Sequence, residues 1–334
     1  MDGSLSRLGH GIRAARTWWS SPRGKRTQCA VSLAASAIIL FVLVRAIVRI
    51  GWQPLVAALP ASALFWSLFI GSYLLQPLID WQIFRHWWRL QARDIAVFLK
   101  RRVMNEALFS YAGDGYLMVW ASTRLGVAID PADPAAQLAG RGDGPGVDPA
   151  AQPIAAIKDV AITSGLAGNL STLLMLGLAL LLGADTVIDA GLDPALVRRV
   201  GIGFALLVSL SLLILLNRGK AFSLPVGANV RAFWWHLLRL LGSQALLVAS
   251  WVVALPAVAA ITWVQFGALR MVMTRMPLPN KEILFAGIAI SLAGDASTAI
   301  AALMAAQGAL HLVSHGIAWA AAAAIDRAPP RVAG

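Results

Sequence analysis

One cysteine, Cys29, stands in 334 residues. That excludes an internal disulfide and any multi-cysteine metal site. Charge is scarce too: 13% of the residues are charged, against about 25% in an average soluble domain. Acids are the scarcer sign, 16 against 28 Lys and Arg, for a net charge of +12. No glycine-rich phosphate loop follows a strand pattern, and no serine or cysteine nucleophile motif is present. No polar stretch is long enough to hold a separate catalytic fold. Together these absences argue against a soluble enzyme.

Apolar residues fill the space instead. They make up 58% of the chain, in several uncharged runs near twenty residues, the length that crosses about 30 Å of hydrocarbon. The expectation is an all-α polytopic membrane bundle of seven or eight spans, with one re-entrant segment and interfacial basic-aromatic helices. The basic balance then reads as membrane anchoring and not as nucleic-acid binding.

A leader at 1–29 carries Arg7, Arg13, Arg16, Arg23, Lys25 and Arg26 around Trp18-Trp19, which places the N-terminus in the cytoplasm. A single transmembrane domain covers 30–325, and a short basic tail covers 326–334. Within the domain, spans are expected at 30–48, 61–79, 160–182, 200–216 and 241–264, with two passes in 283–325. Residues 123–153 are dense in Pro and Gly and read as a mobile loop. Two further basic-aromatic segments, around Trp87-Trp88 and Trp234-Trp235, read as cytoplasmic surfaces for anionic lipid headgroups.

The segment 103–122 is ambiguous. It is long enough to cross, yet it holds Asn105, Glu106 and Gly113-Asp114-Gly115. A full crossing would put the basic-aromatic run 217–239 outside. A segment that dips in and returns keeps all three such runs on one side, and irregular backbone at depth is tolerated where it lines a cavity. The re-entrant form is therefore expected.

Ser291-Leu-Ala-Gly-Asp295-Ala-Ser-Thr298 places a carboxylate, a glycine and hydroxyls in an apolar run. Leu166-Ala-Gly-Asn169-Leu-Ser-Thr172 repeats it with an amide for the acid, and Ser110-Tyr-Ala-Gly-Asp114-Gly repeats its first half. An acid at bilayer depth costs about 2.5–3.5 kcal/mol on insertion scales and usually faces a bundle interior. Paired interruptions point to a substrate site at a repeat interface. Ordinary small-residue packing seams produce similar patterns. The candidate substrate-binding set is Glu106, Asp114, Asn169 and Asp295 as polar lining, Ser297 and Thr298 as hydroxyl partners, and Arg102 and Arg124 as phosphate-gripping headgroup contacts. No catalytic residue, metal or cofactor is assigned. His311 and His315 share a helix face, but Leu312 stands where the zinc-protease pattern needs Glu. Helix–helix hydrogen bonding is the expected role of that pair, with a proton relay as the alternative.

Two spans, a basic segment and Gly113-Asp114-Gly115-Tyr116 running on to Arg124-Leu-Gly126 resemble the transmembrane region of lysylphosphatidylglycerol synthases. The chain is also similar to the free-standing flippase-like membrane proteins related to them, which carry an acid-containing Gly-rich stretch where this chain has Ala293-Gly-Asp295. Nothing in the chain corresponds to the aminoacyl-transferase domain. The resemblance thus implies movement or handling of a lipid or lipid-linked precursor across the bacterial inner membrane, and not lysine transfer. A non-catalytic partner of an envelope synthase or export complex is the alternative, and an intramembrane enzyme a second one.

Overall fold

A computed structural model describes residues 59–108, 111–125, 153–189, 194–275, 281–293 and 298–327, with single positions at 48, 53 and 56. The expected first span at 30–48, most of the loop at 123–153, and Asp295 and Ser297 lie outside the described residues.

All regular structure among the described residues is helical. Helix α1 is Ala63–Trp88, α2 Ile95–Ala107, α3 Ala112–Leu125, α4 Pro153–Asp189 and α5 Pro194–Leu216. After a single turn at Arg218–Ala221 come α6 Val226–Ala254, α7 Ala260–Met273, α8 Lys281–Ala293 and α9 Thr298–Arg327. Four stretches are long and apolar enough to cross a membrane: Ala63–Arg85, Pro153–Leu182, Val226–Ala254 and Thr298–Arg327. This is the anatomy of a multi-pass membrane protein. Four such helices do not reach the seven or eight spans expected.

The missing crossings are those at 30–48, outside the described residues, at 200–216, where the apolar helix Gly201–Leu216 is too short to qualify, and one of the two in 283–325. Residues 103–122 form no single span: the helix stops at Leu108, and Tyr111 takes a positive φ of 75° before α3 begins. The result is a hairpin of α2 and α3, each about 20 Å long at 1.5 Å per residue, too short to cross. The expected span at 241–264 is interrupted after Ala254, because Pro256 lies in the connection and cannot continue the helical ladder. Residues 283–325 give one qualifying helix, α9, preceded by the 13-residue α8. Helix α9 also runs two residues into the stretch read as tail.

Asp80 lies inside α1, which carries Pro77 within it and takes in Trp87-Trp88 as its last turn. Residues 226–239 are no surface loop but the first half of the 29-residue α6. Within it Arg231 and Trp234 are exposed, while His236 and Arg239 are buried. A buried, paired cation says nothing about which side of a membrane a segment occupies, so Arg239 carries no weight in placing 217–239 in the cytoplasm.

Helices α1 and α6 pack lengthwise, and α6 also packs on α4. Glycines make that seam close: a Cβ at Gly242 would stand 2.9 Å from Leu75, and one at Gly71 would stand 3.5 Å from Leu246. One core cluster gathers Phe84, Trp88, Phe98, Leu117 and Ile157, with the Phe84 and Trp88 rings stacked at 4.4 Å. A second gathers Trp251, Trp263, Phe285 and Met304, where the Trp251 indole donates to Gln307. Helix α5 stands apart, with Leu206, Leu212, Leu213 and Leu216 all more than half exposed, as a lipid-facing helix would be.

A candidate binding cavity between the hairpin and the long helices

The first polar element is an ion-pair chain through the interior. Asp80 on α1 is 2% exposed. One of its oxygens accepts from Arg101 Nη1 at 2.8 Å and the other from Arg239 Nη1 at 3.1 Å. Arg101 also donates through Nε to Asp114 Oδ1 at 2.7 Å, and its Nη2 lies 2.6 Å from the same oxygen. Arg239 continues the chain with a 2.9 Å bond to Ser164 Oγ on α4. Five side chains thus tie α1, α2, α3, α4 and α6 together. Alternating signs let each buried charge meet an opposite one, without which burial would cost several kcal/mol per ion.

The hairpin that presents Asp114 is itself built around a glycine. The Gly113 N–H donates to Asn105 Oδ1 at 2.7 Å, closing the turn across the break. A Cβ at Gly113 would collide with the Arg101 carbonyl. Only glycine lets α3 approach α2 this closely.

A second network adjoins the first. Arg102 pairs with Glu106 at 3.1 Å, one helical turn on. Its guanidinium lies 4.0 Å from the Tyr73 ring centroid and donates to the Tyr73 carbonyl. His315 on α9 stands 3.2 Å from Glu106 through Nε2, and its Nδ1 is 2.8 Å from the Tyr73 hydroxyl. The His311 ring is 6.2 Å from that of His315 and sits edge-on to Phe69. The two histidines are thus part of a buried α1–α2–α9 contact.

Between these networks and α7 lies a cavity of about 480 Å³. Small or polar side chains line much of it, including Ser72, Gln76, Ser164 and Ser243. Its cations are Arg101, Arg102, Arg239, Arg270, Arg275 and Lys281, against Glu106 and Asp114. Arg270 donates to Gln244 Oε1 at 2.7 Å, and Lys281 donates to the Thr274 carbonyl at 3.1 Å. Arg275 projects against α4, where a Cβ at Gly168 would overlap its guanidinium.

The expected site residues fall unevenly. Glu106, Asp114, Arg102 and Asn169 all line the cavity, with Asn169 donating to Ser211 Oγ at 2.9 Å. Arg124 is exposed at the end of α3 and does not line it, and Thr298 is exposed at the start of α9. The second motif copy does not interrupt its helix, because α4 runs unbroken from Pro153 to Asp189. Sequence reasoning missed Asp80, Arg101, Arg239 and Arg275. Asp80 carried the one usable signal, an acid inside an apolar run, which must find cations elsewhere.

Comparison with protein-family models, with curated proteins and with solved structures gave no match to this chain.

Proposed function

We propose that this is an integral membrane protein that translocates or handles a lipid or lipid-linked precursor, with the bacterial inner membrane as its site. The observation that carries the reading is the polar cavity itself. A space of about 480 Å³ inside a bundle of apolar helices is in the size range of ligand sites. It is walled partly by a broken hairpin, as membrane transport sites are. On this reading the α2–α3 hairpin enters from the cytoplasmic face and returns, while α1, α4, α6 and α9 cross. A total of seven or eight crossings needs residues 30–48, α5 and the short α7–α8 pair to contribute the rest. Resemblance to the flippase-like region supports the same class of activity.

Gly165 supplies the test. It lines the cavity, and a Cβ there meets nothing within 4 Å, so Gly165→Leu starts a side chain in open space and carries it into the cavity. Reconstituted in liposomes carrying a fluorescent phospholipid, the wild-type chain should expose inner-leaflet label to an external quencher, and Gly165→Leu should not. Equal exposure by both forms would remove the cavity from the mechanism. A scaffold would give exposure with neither form, and an enzyme would change the lipid's mass instead of its sidedness.

A further inference from the structure

Three neutral amides in the cavity wall still have hydrogen-bonding capacity open. Gln76 of α1 lines the cavity and makes no hydrogen bond among the described residues, at either end of its amide. Asn105 of α2 accepts the Gly113 N–H through Oδ1 at 2.7 Å, which leaves its Nδ2 donor open. Asn169 of α4 is oriented the other way. Ser211 donates its own proton to the Leu207 carbonyl at 2.8 Å, so its oxygen accepts from Asn169 Nδ2, and Asn169 Oδ1 is the open end. None of these amide ends is among the sealed, unpartnered polar atoms of the interior, so each is reachable. Three walls thus offer open donors and open acceptors together.

That mixture selects the guest. An ionised phosphate or carboxylate only accepts, and would leave Gln76 Oε1 and Asn169 Oδ1 facing its own oxygens. A hydroxyl both donates and accepts, and a ring bearing several hydroxyls can meet all three amides.

Tyr111 is an independent observation at the same place. It stands between α2 and α3 on the cavity lining, with a φ of 75°. Glycine adopts that conformation freely and tyrosine only under strain. Its side chain is 69% exposed and meets no other aromatic ring among the described residues. The electron-rich face of an aromatic ring suits the polarised C–H face of a sugar. Leu207 and Leu210 of α5 complete the lining, and Leu210 is more than half exposed on that apolar helix, so acyl chains have a way out past them.

From this we infer that the cavity recognises a lipid by an uncharged, hydroxyl-rich headgroup, a sugar, held by Gln76, Asn105 and Asn169 with the Tyr111 ring against its face. The inference rests on the lipid-handling reading for the lipid and on the open amides for the sugar.

The test is native mass spectrometry of the full-length protein in a polyoxyethylene detergent, which brings no sugar of its own. The separate probes are monoglucosyl dioleoylglycerol, dioleoylglycerol, dioleoyl phosphatidic acid and glucose. One glucosyl lipid should bind per chain, saturably, and about tenfold or more tighter than dioleoylglycerol, since several neutral hydrogen bonds separate the two. Gln76→Met keeps the length of the side chain and removes its amide. It should weaken glucosyl lipid binding about two- to tenfold, the contribution of one neutral hydrogen bond, and leave dioleoylglycerol binding unchanged. Tyr111→Gly should also weaken it, yet that variant should melt no lower than the wild type, because glycine relieves the strained φ. Trp319 on α9 is exposed and does not line the cavity, and Trp319→Ala should change neither ligand.

Dioleoylglycerol bound as tightly as the glucosyl lipid would overturn the inference, although lipid handling would survive that result. So would phosphatidic acid bound more tightly than the glucosyl lipid and indifferent to Gln76→Met, which would make the guest an anion. Glucose displacing the lipid at comparable concentration would make the site one for a free sugar, and would overturn the inference together with the lipid-handling reading. Glucosyl lipid held through Gln76 and Tyr111 in a chain that moves no label between leaflets would uphold the site and sink the transport reading.

Discussion

Replacing Asp80 by Asn tests the ion-pair chain at its centre. Asn is nearly isosteric, so the change removes charge and little else. In the native protein one carboxylate serves two guanidiniums at 2.8 and 3.1 Å. After the change Arg101 still has Asp114 at 2.6 Å. Arg239 keeps no carboxylate, only the hydroxyl of Ser164 and the neutral amide oxygen of the new side chain; its Nε already has no partner. The cost is therefore that of one stranded buried cation, about 3–5 kcal/mol, and not twice that. Thermal unfolding in detergent, followed by size-exclusion fluorescence, should show a large drop in melting temperature. A second variant sharpens the test. Removing Arg239 as well, in Asp80→Asn with Arg239→Met, takes away the stranded charge, and the double variant should be more stable than Asp80→Asn alone. Interacting sites give such non-additivity, whereas independent sites add. An Asp80→Asn protein that melts with the wild type, or a double variant whose loss equals the sum of the two singles, would refute the reasoning.

Two further variants probe the supports of the cavity. The Asp159 carboxylate is fully buried and accepts the backbone N–H groups of Ser223 and Leu224 at 2.8 and 2.6 Å, just ahead of α6. Asp159→Asn should cost about 1–3 kcal/mol, and hydrogen exchange at those two amides should accelerate; unchanged exchange would mean the loop is held by other contacts. Gly113→Ala drives a methyl into the Arg101 carbonyl and should cost about 1–3 kcal/mol by overpacking, with spin labels on α2 and α3 moving apart. Labels that stay at the native separation would show that the hairpin does not depend on this approach.

The long apolar runs were legible because hydropathy alone sets them. The expected span at 160–182 lies inside α4, and that at 61–79 lies inside α1 from Ala63 on; the two helices extend to Asp189 and Trp88. That 103–122 breaks was legible as well, but not where: Gly113, Asp114 and Gly115 lie inside α3, and the preceding helix has already stopped at Leu108. What could not be read was the fate of the arginines. Arg101 and Arg239 look the same in a sequence whether they lie at a membrane surface or inside a bundle. The difference is made by Asp80, which is 21 residues from one and 159 from the other. No local pattern links positions so far apart. The hidden pairing also moved the boundary of α6, because a run that seemed too basic to enter the bundle had its innermost charge neutralised there.

The glycines of the repeated motif show why one short pattern can do two different jobs. At Gly113 the absent side chain admits another backbone, and Asp114 beside it faces a ready cation in Arg101. At Gly168 the absent side chain admits a guanidinium, and the next residue is Asn169, an amide that also lines the cavity. An acid at 169 would add a third described carboxylate to the cavity wall, beside Glu106 and Asp114. The amide instead donates to Ser211 and adds no charge. The same motif thus pairs its arginine with an acid in one copy and in the other only makes room for one, because a glycine can admit either a backbone or a guanidinium and the residue after it decides the charge.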